Sequence, residues 1–168
     1  MRKTLWKVGL TTAAVVLLCS SSAYAQATDT ASVNVTVTVA SRARLTLGAA
    51  TLTFTDQDPD TVLTLTAPAL TVDVGARTAA ASSVTLTVLA TTNLTGTAGS
   101  IPINQLTWAG SGAGFALTGV SNIVTAQNVG TWTGSGTRAG DQTYSLPNSW
   151  AYAPGTYTTT LNYTLTVP

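Results

Sequence analysis

Asp56, Asp58 and Asp60 are the one place in this sequence where carboxylates gather, in the run Asp56-Gln57-Asp58-Pro59-Asp60. Alternating oxygen ligands of this kind open a calcium loop of the EF-hand type, which also needs a glycine at its sixth position and a bidentate glutamate at its end. Neither is present, since Thr61 and Ala67 stand at those places. The run therefore reads as a solvated loop stiffened by Pro59, and no metal is expected there. As an acid/base pair for glycoside hydrolysis it is weaker still. That chemistry needs one carboxyl raised by burial, and neighbouring carboxylates on a polar loop supply none.

Little else is available for catalysis. Beyond residue 25 there is no Cys, His, Lys or Glu. The charges are four arginines (Arg42, Arg44, Arg77, Arg138) against six aspartates (Asp29, Asp56, Asp58, Asp60, Asp73, Asp141), leaving a net charge of −2. This excludes thiol and histidine catalysis, Schiff-base lysines, Cys/His zinc sites and disulfides. No cofactor is expected, and the reading is that the chain is not an enzyme. Four arginines are also a poor electrostatic footprint for nucleic acid. Residues 1–25 read as a secretory signal peptide: Arg2, Lys3 and Lys7 precede an apolar stretch from Val8 to Leu18, and Ala23-Tyr24-Ala25 forms the cleavage site. Secretion is therefore expected, and no later segment reaches the roughly 20 apolar residues of a membrane span.

The aromatic residues offer a second kind of chemistry. Trp108, Trp132 and Trp150 stand in the second half of the chain with Tyr144, Tyr152 and Tyr157. An exposed ring could stack on a sugar, whereas large aromatics more usually anchor a core. Trp108 and Trp150 are expected in the core, and Trp132, between Gly130 and Gly134, is expected to be the exposed ligand aromatic. Three N-x-T matches, at Asn34, Asn93 and Asn162, are assigned no role in so threonine-rich a chain.

The elements that must carry these residues are strands. Threonine and valine dominate, and β-branched residues suit a pleated sheet better than a helix. Apolar and polar residues alternate over Leu45–Leu47, Leu52–Phe54, Leu63–Leu65, Leu70–Val74, Val84–Val88, Ile101–Trp108 with a phase shift near Asn104, Phe115–Leu117, Val129–Trp132 and Tyr144–Leu146. The last alternation is the longest. Tyr157, Thr159, Leu161, Tyr163, Leu165 and Val167 share one face, and Thr158, Thr160, Asn162, Thr164 and Thr166 the other. Eleven of the fourteen glycines lie between Gly96 and Gly155, which places the looser loops in that half. Nine or ten short strands with turn signals between them predict an all-β, immunoglobulin-like β-sandwich over residues 41–168.

Residues 26–40 stand apart as an N-terminal extension. Val33, Val35, Val37 and Val39 form a row on one face, and no charge intervenes between Asp29 and Arg42. The segment reads either as an ordinary first strand or as a donor strand that fills a neighbour's groove by strand addition, each valine entering a successive pocket.

Three stretches resemble subunits of chaperone–usher pili, in particular the alternate, colonization-factor-like class and the related spore-coat-U-like secreted domains. Ala31-Ser32-Val33-Asn34-Val35-Thr36-Val37-Thr38-Val39 looks like their donor strand. Ile101-Pro102-Ile103-Asn104-Gln105-Leu106-Thr107-Trp108 is similar to a mid-chain segment. Ala153-Pro154-Gly155-Thr156-Tyr157 and the alternation to Val167 look like their final turn and C-terminal strand. The resemblance implies an incomplete immunoglobulin-like fold, a periplasmic chaperone, an outer-membrane usher and a homopolymer of identical subunits at the cell surface. Val33, Val35, Val37 and Val39 would be the donor residues. Tyr157, Leu161, Tyr163, Leu165 and Val167, on the C-terminal strand, would border the acceptor groove or pair with the chaperone. A self-complete secreted adhesin or carbohydrate-binding sandwich is the alternative, and a chain with enough strands to close its own sandwich would favour it.

Overall fold

The computed structural model describes residues 28–168. The leader read over residues 1–25, and Gln26 and Ala27 after it, lie outside the described residues. Residues 28–37 belong to one unit and Thr38–Pro168 form another. No strand forms between residues 28 and 41. Val33, Val35, Val37 and Val39 are 84, 81, 77 and 62% exposed. The segment is therefore not the ordinary first strand that its alternation allows. A strand needs a partner edge as well as a pattern, and among the described residues no ladder includes this segment.

Within Thr38–Pro168 the alternating sequences form eleven strands: β1 (Arg42–Leu47), β2 (Thr64–Thr66), β3 (Leu70–Arg77), β4 (Ser83–Ala90), β5 (Leu94–Gly96), β6 (Gly99–Ile101), β7 (Thr107–Ser111), β8 (Thr118–Val120), β9 (Gln127–Thr133), β10 (Gly136–Pro147) and β11 (Leu161–Thr166). The larger sheet runs β1-β3-β10-β7-β8, with β2 also on β10; a second runs β11-β4-β9, and β5 and β6 form a small hairpin. All the ladders are antiparallel. β2 and β3 share β10, interrupted at Pro68, which has no N–H for a ladder. The fold is an all-β, sandwich-like one, as the composition predicts. Its core takes alternate residues from both main sheets: Leu70, Val72 and Val74 from β3, Val84, Leu86 and Val88 from β4, Val129 and Trp132 from β9, Trp108 from β7 and Tyr144 and Leu146 from β10.

Several local expectations are corrected. Ile101–Trp108 is not one bulged strand; a 3-10 turn over Ile103–Gln105 separates β6 from β7, its entry pinned by the Ile103 N–H donating to Asn93 Oδ1 at 2.9 Å. The observed irregularity lies instead between β4 and β9, after Leu86. Leu52 and Phe54 alternate into the core side without joining a ladder, and Leu117 is 74% exposed. The glycines of the second half are not all loop residues. Gly110, Gly119, Gly130 and Gly140 lie inside β7, β8, β9 and β10. A methyl group at Gly119 would run into the Trp108 ring, one at Gly130 would come within 2.8 Å of Trp132, and one at Gly140 would press on Phe115. These glycines are the space that large rings occupy.

The two long sides of the sandwich differ. On one, β8 lies beside β9, and main-chain bonds stitch the approach: Ala116 N–H donates to Val129 O at 2.7 Å and Thr131 N–H to Gly114 O at 2.9 Å. On the other, β1 and β11 lie side by side, and among the described residues no ladder joins them. All four arginines beyond residue 25 are in strands of the larger sheet, Arg42 and Arg44 in β1, Arg77 in β3 and Arg138 in β10.

Candidate functional site: an open seam between β1 and β11

β11 pairs with β4 over Leu161↔Ala90 to Thr166↔Thr85 and, among the described residues, has no ladder on its other edge. Its sequence alternates apolar and polar residues, so Leu161, Tyr163 and Leu165 turn toward the core while Asn162, Thr164 and Thr166 face water. Tyr157 and Val167, before and after the strand, continue the inward row. All five are only half-buried, in contrast with the fully enclosed residues of β4 opposite. β1 pairs with β3 from Arg42↔Arg77 to Leu47↔Val72 and likewise has no second ladder among the described residues. It offers Leu45 and Leu47, again half-buried, and Leu52 and Phe54 pack against the same core. The partly covered apolar side chains of the sandwich thus include both rows along these two edges.

One end of the seam is tied off. The Pro168 carbonyl accepts from Thr78 Oγ1 at 2.7 Å and from Ser41 Oγ at 3.3 Å, holding the chain after β11 against the start of β1 and the end of β3. Beneath β11 lies a polar relay. Tyr144 Oη and Tyr163 Oη are 2.6 Å apart, and Tyr163 donates onward to Gln142 Oε1. With the Tyr163 proton committed to Gln142, Tyr144 is the donor of the first bond. Tyr144 and Gln142 are fully buried. Burial pushes the Tyr144 phenol up to about 12, with its hydrogen-bond contact to Tyr163 pulling the other way. Burial also raises the Tyr163 phenol, and the nearby Tyr144 adds to that rise. Gln142 Nε2 has no partner among the described residues. The inward row of β11 is therefore apolar except at Tyr163, where a neutral relay crosses to β10.

The remaining expected positions fall elsewhere. Trp132 is not the exposed aromatic: it is 8% exposed, lies edge-on to Phe115 with centroids 5.2 Å apart, and donates from Nε1 to Ala113 O at 3.0 Å. Its flanking glycine signals room for the ring and not access to it. Trp150 is the exposed one, at 73%, and not a core residue. It lies between Pro147 and Pro154, beyond the end of β10, in a stretch with no apolar alternation to pull it inward. Trp108 is buried, as expected for a strand residue.

Asp56, Asp58 and Asp60 are exposed and belong to an ordered loop. Asp60 N–H donates to Asp58 Oδ1 at 3.0 Å, and Val62 N–H to Asp58 O at 2.8 Å. Asn148 Nδ2 donates to Gln57 O at 3.0 Å and to Val62 O at 2.9 Å, and Trp150 Nε1 to Asp60 Oδ1 at 3.0 Å. The carboxylates thus shape a turn, and among the described residues no cluster suits a metal ion. The Trp150–Asp60 bond and the tyrosine relay are the two features that sequence reasoning misses. Both join residues at least 19 positions apart, and only the strand order brings them together. Compared with known protein families, with characterised proteins and with solved structures, the chain matches none.

Proposed function

We propose that this chain is an exported structural subunit of a cell-surface fibre, in which residues 33–39 of one copy complete the open seam of the next. The observation that carries the reading is a pair of matching deficits. Val33, Val35, Val37 and Val39 present four apolar side chains to water. Leu161, Tyr163, Leu165 and Val167 present four half-buried ones at the same alternate spacing beside a free strand edge. Burying an exposed valine is worth about 1.5–2 kcal/mol, so the four supply on the order of 6–8 kcal/mol before the cost of association. The ladder itself would satisfy main-chain groups that an open edge leaves to water, a hazard that proteins otherwise manage by covering the edge. The near absence of charge and of catalytic side chains fits a load-bearing role, and the resemblance to pilus subunits adds a chaperone that lends a strand in transit and an usher at the outer membrane.

The test is assembly with and without the valine row. Exported protein is run unboiled on gels and by size-exclusion chromatography beside a variant lacking residues 26–40. Heat-sensitive ladders from the intact protein, lost on deletion while the domain stays folded, support the reading. A compact monomer from the intact protein, or a domain that unfolds on deletion, overturns it.

A further inference from the structure

We propose that the outer face of β1 and β3 is a docking surface for the Asp56–Asp60/Trp150 loop of a second copy of this chain. Arg42 and Arg77 are directly opposed in the β1–β3 ladder, and Arg44 is two residues along on the same face, opposite Gly75. All three are exposed. The missing side chain at Gly75 leaves room for the Arg44 guanidinium, whose Nε would lie 3.4 Å from a methyl group placed there. Like charges directly opposed across a ladder are unfavourable. The only carboxylate on these two strands is Asp73, opposite Thr46. Three of the four cations beyond residue 25 are thus held together on one sheet face, outnumbering its two carboxylates, Asp73 and, on β10, Asp141, which accepts from Thr71 Oγ1 at 2.8 Å.

The chain carries one surface of complementary charge. Half of its six aspartates lie in the loop Asp56–Asp60, all exposed. That loop is fastened to the Asn148–Trp150 turn by the bonds described above, so little ordering remains to be done when it docks. The Trp150 indole is oriented by its bond to Asp60 and leaves its surface to water. A flat aromatic face beside free carboxylate oxygens suits the guanidinium group: the plane stacks on the ring while the N–H fork reaches the carboxylate. Lysine would serve less well, and beyond residue 25 the chain has none. The contact uses neither the valine row nor the seam, so it deepens the fibre reading as a lateral contact and stands or falls separately from strand donation.

The experiment uses exported protein carrying Val33, Val35, Val37 and Val39→Ser, which blocks strand donation, followed by sedimentation velocity at about 20 mM and about 500 mM NaCl, where screening lengths differ several-fold. Self-association at low salt and its loss at high salt are expected. Arg42→Asp with Arg44→Asp and Arg77→Asp removes it, as does Asp56→Arg with Asp58→Arg. Mixing the two charge-reversed proteins restores a complex, because each now carries the surface the other needs. Trp150→Ala, at a position too exposed to disturb folding, weakens association about tenfold, as loss of an aromatic anchor does. Monomers at low salt, or charge-reversed proteins that associate like the parent, or a mixture that stays monomeric, overturn the proposal.

Discussion

The two long sides of this sandwich are built from the same kinds of residue and reach opposite ends. Along β8 and β9, rings fill the gap between the sheets, with Trp108 over Gly119, Trp132 over Gly130 and Phe115 against both Trp132 and Gly140. Main-chain bonds from 114–116 to 129–131 then close that side. Along β1 and β11, leucines and a tyrosine alternate as regularly with polar residues, but among the described residues no third strand lies between the edges, and these side chains stay half-buried. Strand number does not decide closure. The described residues form eleven strands, but β2, β5, β6 and β8 are three residues each, and none of them is placed on the β1 or β11 edge. Closure depends on where the bulky rings and the glycines that admit them fall, and both are concentrated after Gly96.

The sharpest way to break this contrast is to remove a ring from the closed side. Trp132→Ala leaves a cavity that the surrounding strands fill only in part, and should cost about 3–5 kcal/mol in urea unfolding. A smaller loss comes from the floor of the open side. Tyr163→Phe strips the hydroxyl that serves Tyr144 and Gln142 together, leaving buried groups unpaired, and should cost about 1–3 kcal/mol. Unchanged stability would mean that the relay is open to water.

Alkali should weaken the same place gradually. An unfolded tyrosine loses its proton near pH 10, whereas burial holds the folded Tyr144 phenol neutral up to about 12 and raises that of Tyr163 as well. The unfolded chain then binds fewer protons than the folded one above pH 10. The stabilisation is complete below that pH and declines as pH rises toward 12. Thermal unfolding followed from pH 9 upward should show the decline, reduced in Tyr163→Phe. The smallest effect belongs to the valine row. Val37→Ser alters a side chain that is 77% exposed and should change monomer stability by no more than about 0.5 kcal/mol. A larger change by the same urea titration would show that the segment already supports its own domain.

Much of the architecture is legible in sequence because period-two alternation records which face of a strand is wet. β3, β4, β10 and β11 are found where Leu70–Val74, Val84–Val88, Tyr144–Leu146 and the run to Val167 alternate. The same rule fails at Val33–Val39 and at Leu52–Phe54. Alternation marks a segment able to pair, and pairing depends on an edge elsewhere in space. Ile101–Trp108 fails for a different reason, since Asn93 captures the Ile103 amide and winds the chain into a 3-10 turn. The exchange of roles between Trp132 and Trp150 turns on glycine. Glycine beside a ring suggests a loop, whereas Gly114 and Gly130 are the hollow in which Trp132 rests. The open seam is legible only in part, as a long inward row ending at Val167. That β1 lies across from it is a property of strand order.

The placement of the few cations has a further consequence for resistance to proteases. Trypsin-like proteases cut after arginine or lysine, and they need a stretch of extended, unpaired backbone around the bond. Neither residues 26–41 nor the long connection from 48 to 63 contains either residue. Arg44 and Arg138 sit within ladders that would have to open first, and Arg77 ends β3 on the rung it shares with Arg42. Arg42 is the first residue of β1, on an edge with no second ladder among the described residues, so fraying of β1 exposes the bond after Arg42. Cutting there would leave the sandwich whole and detach the segment that carries the four valines.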